Sequence, residues 1–376
     1  MNRLLSGVAV TTVAMMFGLT YSLSAALIAL DLAARDLSEA VIGANAAMHA
    51  LGVLTTAMFL PRVVMRLGVR PMVLGALALA ALVLLGMPAL PYLWLWFPLR
   101  FLLGVAAEVL FVLSETWINS LSAEETRARA MAAYTAAMSV GFAAGPFILS
   151  VVGRGGMAPW LIGAGLAVAA MALIASPRVT APVFDRPAHG GPLRYFRLAP
   201  LAMAATVLNA AIETAGLSFL ALYAVRLGWA EADATALMTC MMVGAILLQL
   251  PIGWLGDKMD RMVLVRWLAV LAALGGLAWP LVLGWAWAAY ALLFFWGGAF
   301  MGIYAVMLAV VGSRFQGGEL VGIYAVMGLA WGGGALAGPL LAGAMMEGLP
   351  PHGLAFFAAL ACGSFALVAF RLRGRD

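Results

Sequence analysis

The chain has 376 residues, of which 65% are apolar and only 10% charged. A soluble domain carries about 25% charged residues, so water is not this chain's main solvent, and disordered, collagen-like and disulfide-rich secreted classes are excluded. The net charge of +5 comes from cations scattered between apolar runs, which argues against a nucleic-acid partner and for placement by the positive-inside rule.

A helix crosses the hydrocarbon with about 20 apolar residues, and twelve such stretches are predicted. The first, 6–30, follows Met1-Asn2-Arg3 and reads as a retained span rather than a cleaved signal; it carries Tyr21. The second, 43–65, aligns His49 with Asn45, Gly52 and Thr56 in a polar stripe and runs into a loop with Arg66, Gly68 and Arg70. The third, 71–90, has no ionisable residue in its core. On the fourth, 94–119, a step of 100° per residue puts Arg100, Gly104, Glu108, Phe111, Glu115 and Asn119 on one face. Arg100 and Glu108 are roughly 12 Å apart along that axis, successive stations rather than a touching pair. Trp117 lies near its end; the fifth span, 130–152, carries Gly141, Gly145 and Pro146, and the sixth is 158–176.

Residues 177–197 hold Pro177, Pro182, Pro187, Pro192 and the Gly190-Gly191 pair, a composition that predicts an exposed, partly extended linker. The seventh span, 198–222, places Asn209 one turn before Glu213, where it can orient the acid. The eighth, 234–254, contains Met238, Met241 and Met242 and leads to Gly253, Asp257 and Lys258. Spans 263–284, 286–312, 321–345 and 353–370 complete the set, with Trp296 and Tyr304 in the tenth and Tyr324 and Trp331 in the eleventh. The expected architecture is an all-α membrane protein of twelve transmembrane helices in two pseudo-symmetric six-helix bundles, 1–176 and 198–376, joined by the linker 177–197. An even number of spans leaves both termini on one side. Seventeen cations fall on that side against three on the other, with Arg100 left inside a span, so it is the cytoplasmic side.

Shifting the chain by about 192 residues lays one half on the other at two independent places. The loop beginning Pro61-Arg62 answers the one beginning Gly253-Trp254, and Gly141-Phe142-Ala143-Ala144-Gly145-Pro146 answers Gly334-Ala335-Leu336-Ala337-Gly338-Pro339. With these motifs the chain resembles the major facilitator superfamily of secondary transporters over its whole length. The family's loop motif is similar to Gly253, Asp257 and Lys258, and to Arg66, Gly68 and Arg70 with Met65 in place of the acid; its span-four motif is similar to Arg100 and Gly104. Glu115-Thr116-Trp117-Ile118-Asn119, Arg129-Ala130-Met131-Ala132-Ala133-Tyr134 and Gln249-Leu250-Pro251-Ile252-Gly253 look like a YcaD-like subgroup of bacterial inner-membrane members. The resemblance implies that spans 1, 4, 7 and 10 line a central path, that the loop and Gly-Pro motifs act in gating, and that the span-five motif is commoner in exporters that exchange solute for protons.

A charge at the bilayer centre costs at least about 2.5–3.5 kcal/mol, so function is its default explanation. Glu108 and Glu213 are read as proton carriers or ligands for a cationic solute, with a structural ion pair as the alternative. Arg100 either neutralises an acid on another helix, the preferred reading because acids outnumber it, or attracts an anionic group. His49 is a packing residue or a proton relay, and Glu115 a contact for Arg127 or Arg129 or a gating residue. Tyr21, Trp117, Trp296, Tyr304, Tyr324 and Trp331 form an aromatic wall or serve as packing and interfacial anchors. The methionines read as gap-fillers, the alternative being a Cu(I) path at Met238 and Met242; no metal site and no cofactor are expected. Without a nucleotide-binding loop or a nucleophile with a base partner, the chain is expected not to be an enzyme. It is expected to be a monomeric, alternating-access secondary transporter in the bacterial inner membrane, exporting a small amphipathic or cationic organic compound against protons. Import of a nutrient or trace metal, and a non-transporting sensor on the same fold, are the alternatives.

Overall fold

The computed structural model describes residues 2–90, 92–121, 127–182, 198–315 and 317–371. Among them regular structure is helical: α1 (Asn2–Ala33), α2 (Glu39–Leu67), α3 (Val69–Ala89), a 3-10 turn (Leu93–Leu95), α4 (Trp96–Leu121), α5 (Arg127–Val152), α6 (Ala158–Ala175), α7 (Pro200–Arg226), α8 (Glu231–Leu247), α9 (Gln249–Lys258), α10 (Arg261–Val282), α11 (Ala286–Arg314), α12 (Gly317–Gly348) and α13 (Gly353–Arg371). Twelve stretches of 18 to 29 residues are long and apolar enough to cross a membrane, one for each expected span. Helices are what apolar spans must form, because lipid offers backbone polar groups no partner. Leu250, Leu281 and Trp287 are each more than three-quarters exposed, which suits acyl chains as solvent.

The eighth span is formed by α8 and α9 together, interrupted at Leu248. Pro251 has no N–H to return to the Leu247 carbonyl one turn back, while bonds from Leu248 N to Gly244 O and from Ile252 N to Leu248 O, both 3.0 Å, carry the helix across. Gly68, at φ 84°, makes the one-residue joint between α2 and α3.

The chain divides into two compact units, Met1–Asp31 with Met48–Ala188, and Leu32–Ala47 with His189–Asp376. The first turns of α2 therefore belong to the second unit. Most of the linker, 183–197, lies outside the described residues. In the first unit a Cβ on Gly104 would strike the His49 carbonyl oxygen, one on Gly52 that of Phe101, and one on Gly141 that of Met15. The second unit repeats each contact about 192–193 positions later: Gly297 against Met241 O, Gly244 against Phe294 O, and Gly334 against Val207 O. Small residues let helix backbones approach closely in membranes, and here they fix the same helix pairs, first with fifth and second with fourth, in both units.

Candidate functional site

In the first unit three helices bring their costly residues together. The α4 stripe carries Arg100, Gly104 and Glu108; α1 carries Tyr21 and Ser24, and α2 carries His49. Arg100 is 1% exposed, and its Nη1 donates to the Ser24 hydroxyl at 2.7 Å. Ser24 in turn reaches the Tyr21 carbonyl oxygen at 3.1 Å. The Tyr21 and His49 rings stack with centroids 4.4 Å apart and planes 10° from parallel. Gly104, one turn after Arg100, rests on the His49 backbone, so its missing side chain lets α2 and α4 close around the pair. Phe17, Phe111 and Phe142 extend the aromatic surface: Phe17 lies 5.1 Å from Phe111, and Phe142 meets Tyr21 edge-on at 5.8 Å.

Glu108 is half-buried on the same stripe. Among the described residues no cation lies within salt-bridge distance of it, and no carboxylate within that distance of Arg100. The structure thus gives Arg100 a neutral hydroxyl as hydrogen-bond partner rather than an acid. Ser24 was invisible as a partner in the sequence, because pairing across helices leaves no local signal.

In the second unit Glu213 is 8% exposed in the middle of α7, and Asn209 Nδ2 donates to its Oε2 at 3.3 Å. Gly334 and Gly338 press α12 against α7 beside this pair. Met238 and Met242 are buried in α8, and among the described residues no group of three His, Cys, Asp or Glu side chains stands close enough to hold a metal ion.

Two other candidates donate to backbone carbonyls within their units. Trp117 is fully buried, and its Nε1 donates to Thr180 O at 2.8 Å. Ser6 Oγ accepts from Thr180 N at 3.0 Å, so the first residues after α6 are pinned to α1 and α4. Trp296 donates to Ala272 O at 2.8 Å and meets Trp279 edge-on at 4.7 Å, facing α10. Tyr304, Trp331 and Glu115 are half-buried, and the side chains of Tyr324, Arg127 and Arg129 lie outside the described residues. Of the loop motifs, Arg66 is exposed, whereas Arg70 Nη2 donates to Ala175 O at 2.6 Å and also to Ser176 O, tying the start of α3 to the end of α6. In the second unit Asp257 lies 3.5 Å from Arg261, and Lys258 sits over the Trp254 ring at 4.1 Å. Gly141, Gly145 and Pro146 are buried in α5, where Gly145 abuts Ser22.

The profile of the Major Facilitator Superfamily matches residues 10–314 and 202–376. The chain belongs to that family. It is similar to the uncharacterised MFS-type transporter YfkF of Bacillus subtilis, 28% identical over 60% of this chain and 59% of YfkF. It is also similar to the uncharacterised MFS-type transporter YcaD of Salmonella dublin, 25% identical over 92% of this chain and 90% of that protein. Solved structures with the same fold include the nucleoside transporter NupG, TM-score 0.76 at 14% identity over 100% of this chain and 98% of that one. The D-xylose-proton symporter gives a TM-score of 0.75 at 16% identity, covering 98% and 96%. As a major facilitator superfamily member the protein is a multi-pass membrane transporter and not an enzyme. In the vocabulary of that family, Arg100 and Glu108 lie on span four and Glu213 on span seven.

Proposed function

We propose that this transporter works by alternating access and couples a small solute to protons, exporting a small amphipathic compound, or one with a cationic centre, across the bacterial inner membrane with both termini in the cytoplasm. One observation supports the coupling: two carboxyls, Glu108 in α4 and Glu213 in α7, stand inside apolar helices with no cation in salt-bridge reach among the described residues. Such groups are retained inside membranes for use. Each is able to bind and release one proton, or to hold a cationic centre, as access alternates. Proton coupling is at home on this fold, the D-xylose-proton symporter being one example. The span-five motif supports export as the direction, and the seventeen-to-three distribution of cations supports the cytoplasmic termini.

The test uses purified protein in liposomes enclosing a pH-sensitive dye, challenged with a panel of small organic solutes. Wild-type protein is expected to move protons when its solute is added, and Glu108→Gln or Glu213→Gln to abolish that movement. Transport by either variant at the wild-type rate and with the wild-type pH dependence rules out that residue as the coupling group. Absence of solute counterflow in the wild type would instead indicate a sensor built on the transporter fold.

A further inference from the structure

Arg100 poses a charge-balance question that the carboxyls do not answer. Its guanidinium is 1% exposed, carries a fixed positive charge, and has one neutral hydrogen-bond partner, Ser24. Its Nε is buried and has no partner among the described residues. The His49 Nδ1 is also buried with no partner among the described residues, on a ring stacked against Tyr21, one turn from Ser24. His49 also lies against α4, its backbone meeting Gly104 one turn after Arg100. Where α1, α2 and α4 meet, the structure therefore collects a buried cation and an open ring nitrogen but no anion among the described residues. Glu108 shares the α4 face but stands roughly 12 Å along the axis.

We infer that Arg100 is the docking point for an anionic group, a carboxylate or comparable oxyanion, borne by the transported solute. Such a group matches the planar fork of donors that a guanidinium presents and cancels a charge that is costly to bury alone. Phe17 and Phe142, both against Tyr21, give its organic body an apolar wall. When ionised, Glu108 repels the same anion from the other station, which orients the solute. This assignment rests on the chain being a solute transporter but not on proton coupling, and of the two solute classes proposed above it selects the amphipathic compound, with an acid as its polar end, over the cationic one.

The experiment measures thermal unfolding of the purified full-length protein at one pH, with matched sets of aryl and alkyl acetates, their amides and the corresponding amines. Carboxylates are expected to raise the wild-type midpoint while their amides and amines do not, and Arg100→Gln to need at least about 30-fold more carboxylate for the same shift. Without ligand, Arg100→Met is expected to unfold at or above the wild-type temperature, because it removes an uncompensated charge while Ser24 keeps its bond to Tyr21 O. The inference is overturned if no carboxylate stabilises the protein, if amides or amines do so equally well, or if Arg100→Gln binds as wild type. A fall of more than about 4 °C in unliganded Arg100→Met overturns it as well. No proton gradient enters these measurements, so carboxylate preference alongside normal transport by Glu108→Gln would sink proton coupling alone, and proton-driven transport of amines would sink only this assignment.

Discussion

At the scale of single residues, the energetics of Arg100 are asymmetric. Ser24→Ala strips the guanidinium of its partner and is expected to destabilise the protein by about 1–3 kcal/mol. The double variant with Arg100→Met should lose most of that penalty, and the four unfolding midpoints form a cycle that checks it. Trp117→Phe removes the bond to Thr180 O while keeping an aromatic side chain. It is expected to cost about 1 kcal/mol and to leave solute preference unchanged in a competition assay; a changed preference would place Trp117 on the solute path. The titratable residues were legible in the sequence because an ionisable group in an apolar run is conspicuous. Their partners were not, since Ser24 and Thr180 become neighbours of Arg100 and Trp117 only when helices far apart in the chain are packed.

At the scale of elements, glycines set the distances between helices. Gly104→Ala drives a methyl into the His49 backbone and is expected to cost about 1–3 kcal/mol, whereas Gly253→Ala points into open space and should be silent. Comparing thermal midpoints of the two variants separates a packing glycine from a motif glycine. The half-repeat was readable at Gly141 and Gly334, and the same register predicts the matched contacts of Gly52 with Gly244 and of Gly104 with Gly297. Those were missed because single glycines in a chain that has 42 of them give no signal until a backbone approaches. The interruption at Leu248 was likewise hidden, since apolar periodicity runs unbroken through Pro251.

At the scale of the molecule, counting apolar stretches was sufficient for the twelve spans because a bilayer imposes nearly one helix length. Contacts made by span ends were beyond that reading. Glu39, 5% exposed at the start of α2, forms an ion pair with Arg226 at the end of α7, and Glu347 Oε2 near the end of α12 accepts from Ala40 N at 3.3 Å. Gly343 closes on the Glu39 carbonyl. Glu39→Ala is expected to lower stability by about 1–2 kcal/mol, less than a fully buried pair because Arg226 is partly solvated. Reversing the charges, Glu39→Arg with Arg226→Glu, should recover part of the loss in a thermal melt. The same clasp makes the second unit discontinuous in the chain, for it borrows Leu32–Ala47 from within the first. A gene cut after Ala188 would thus yield a carboxy-terminal product born without a strip of its own interior, obliged to wait for the other fragment before it could mature.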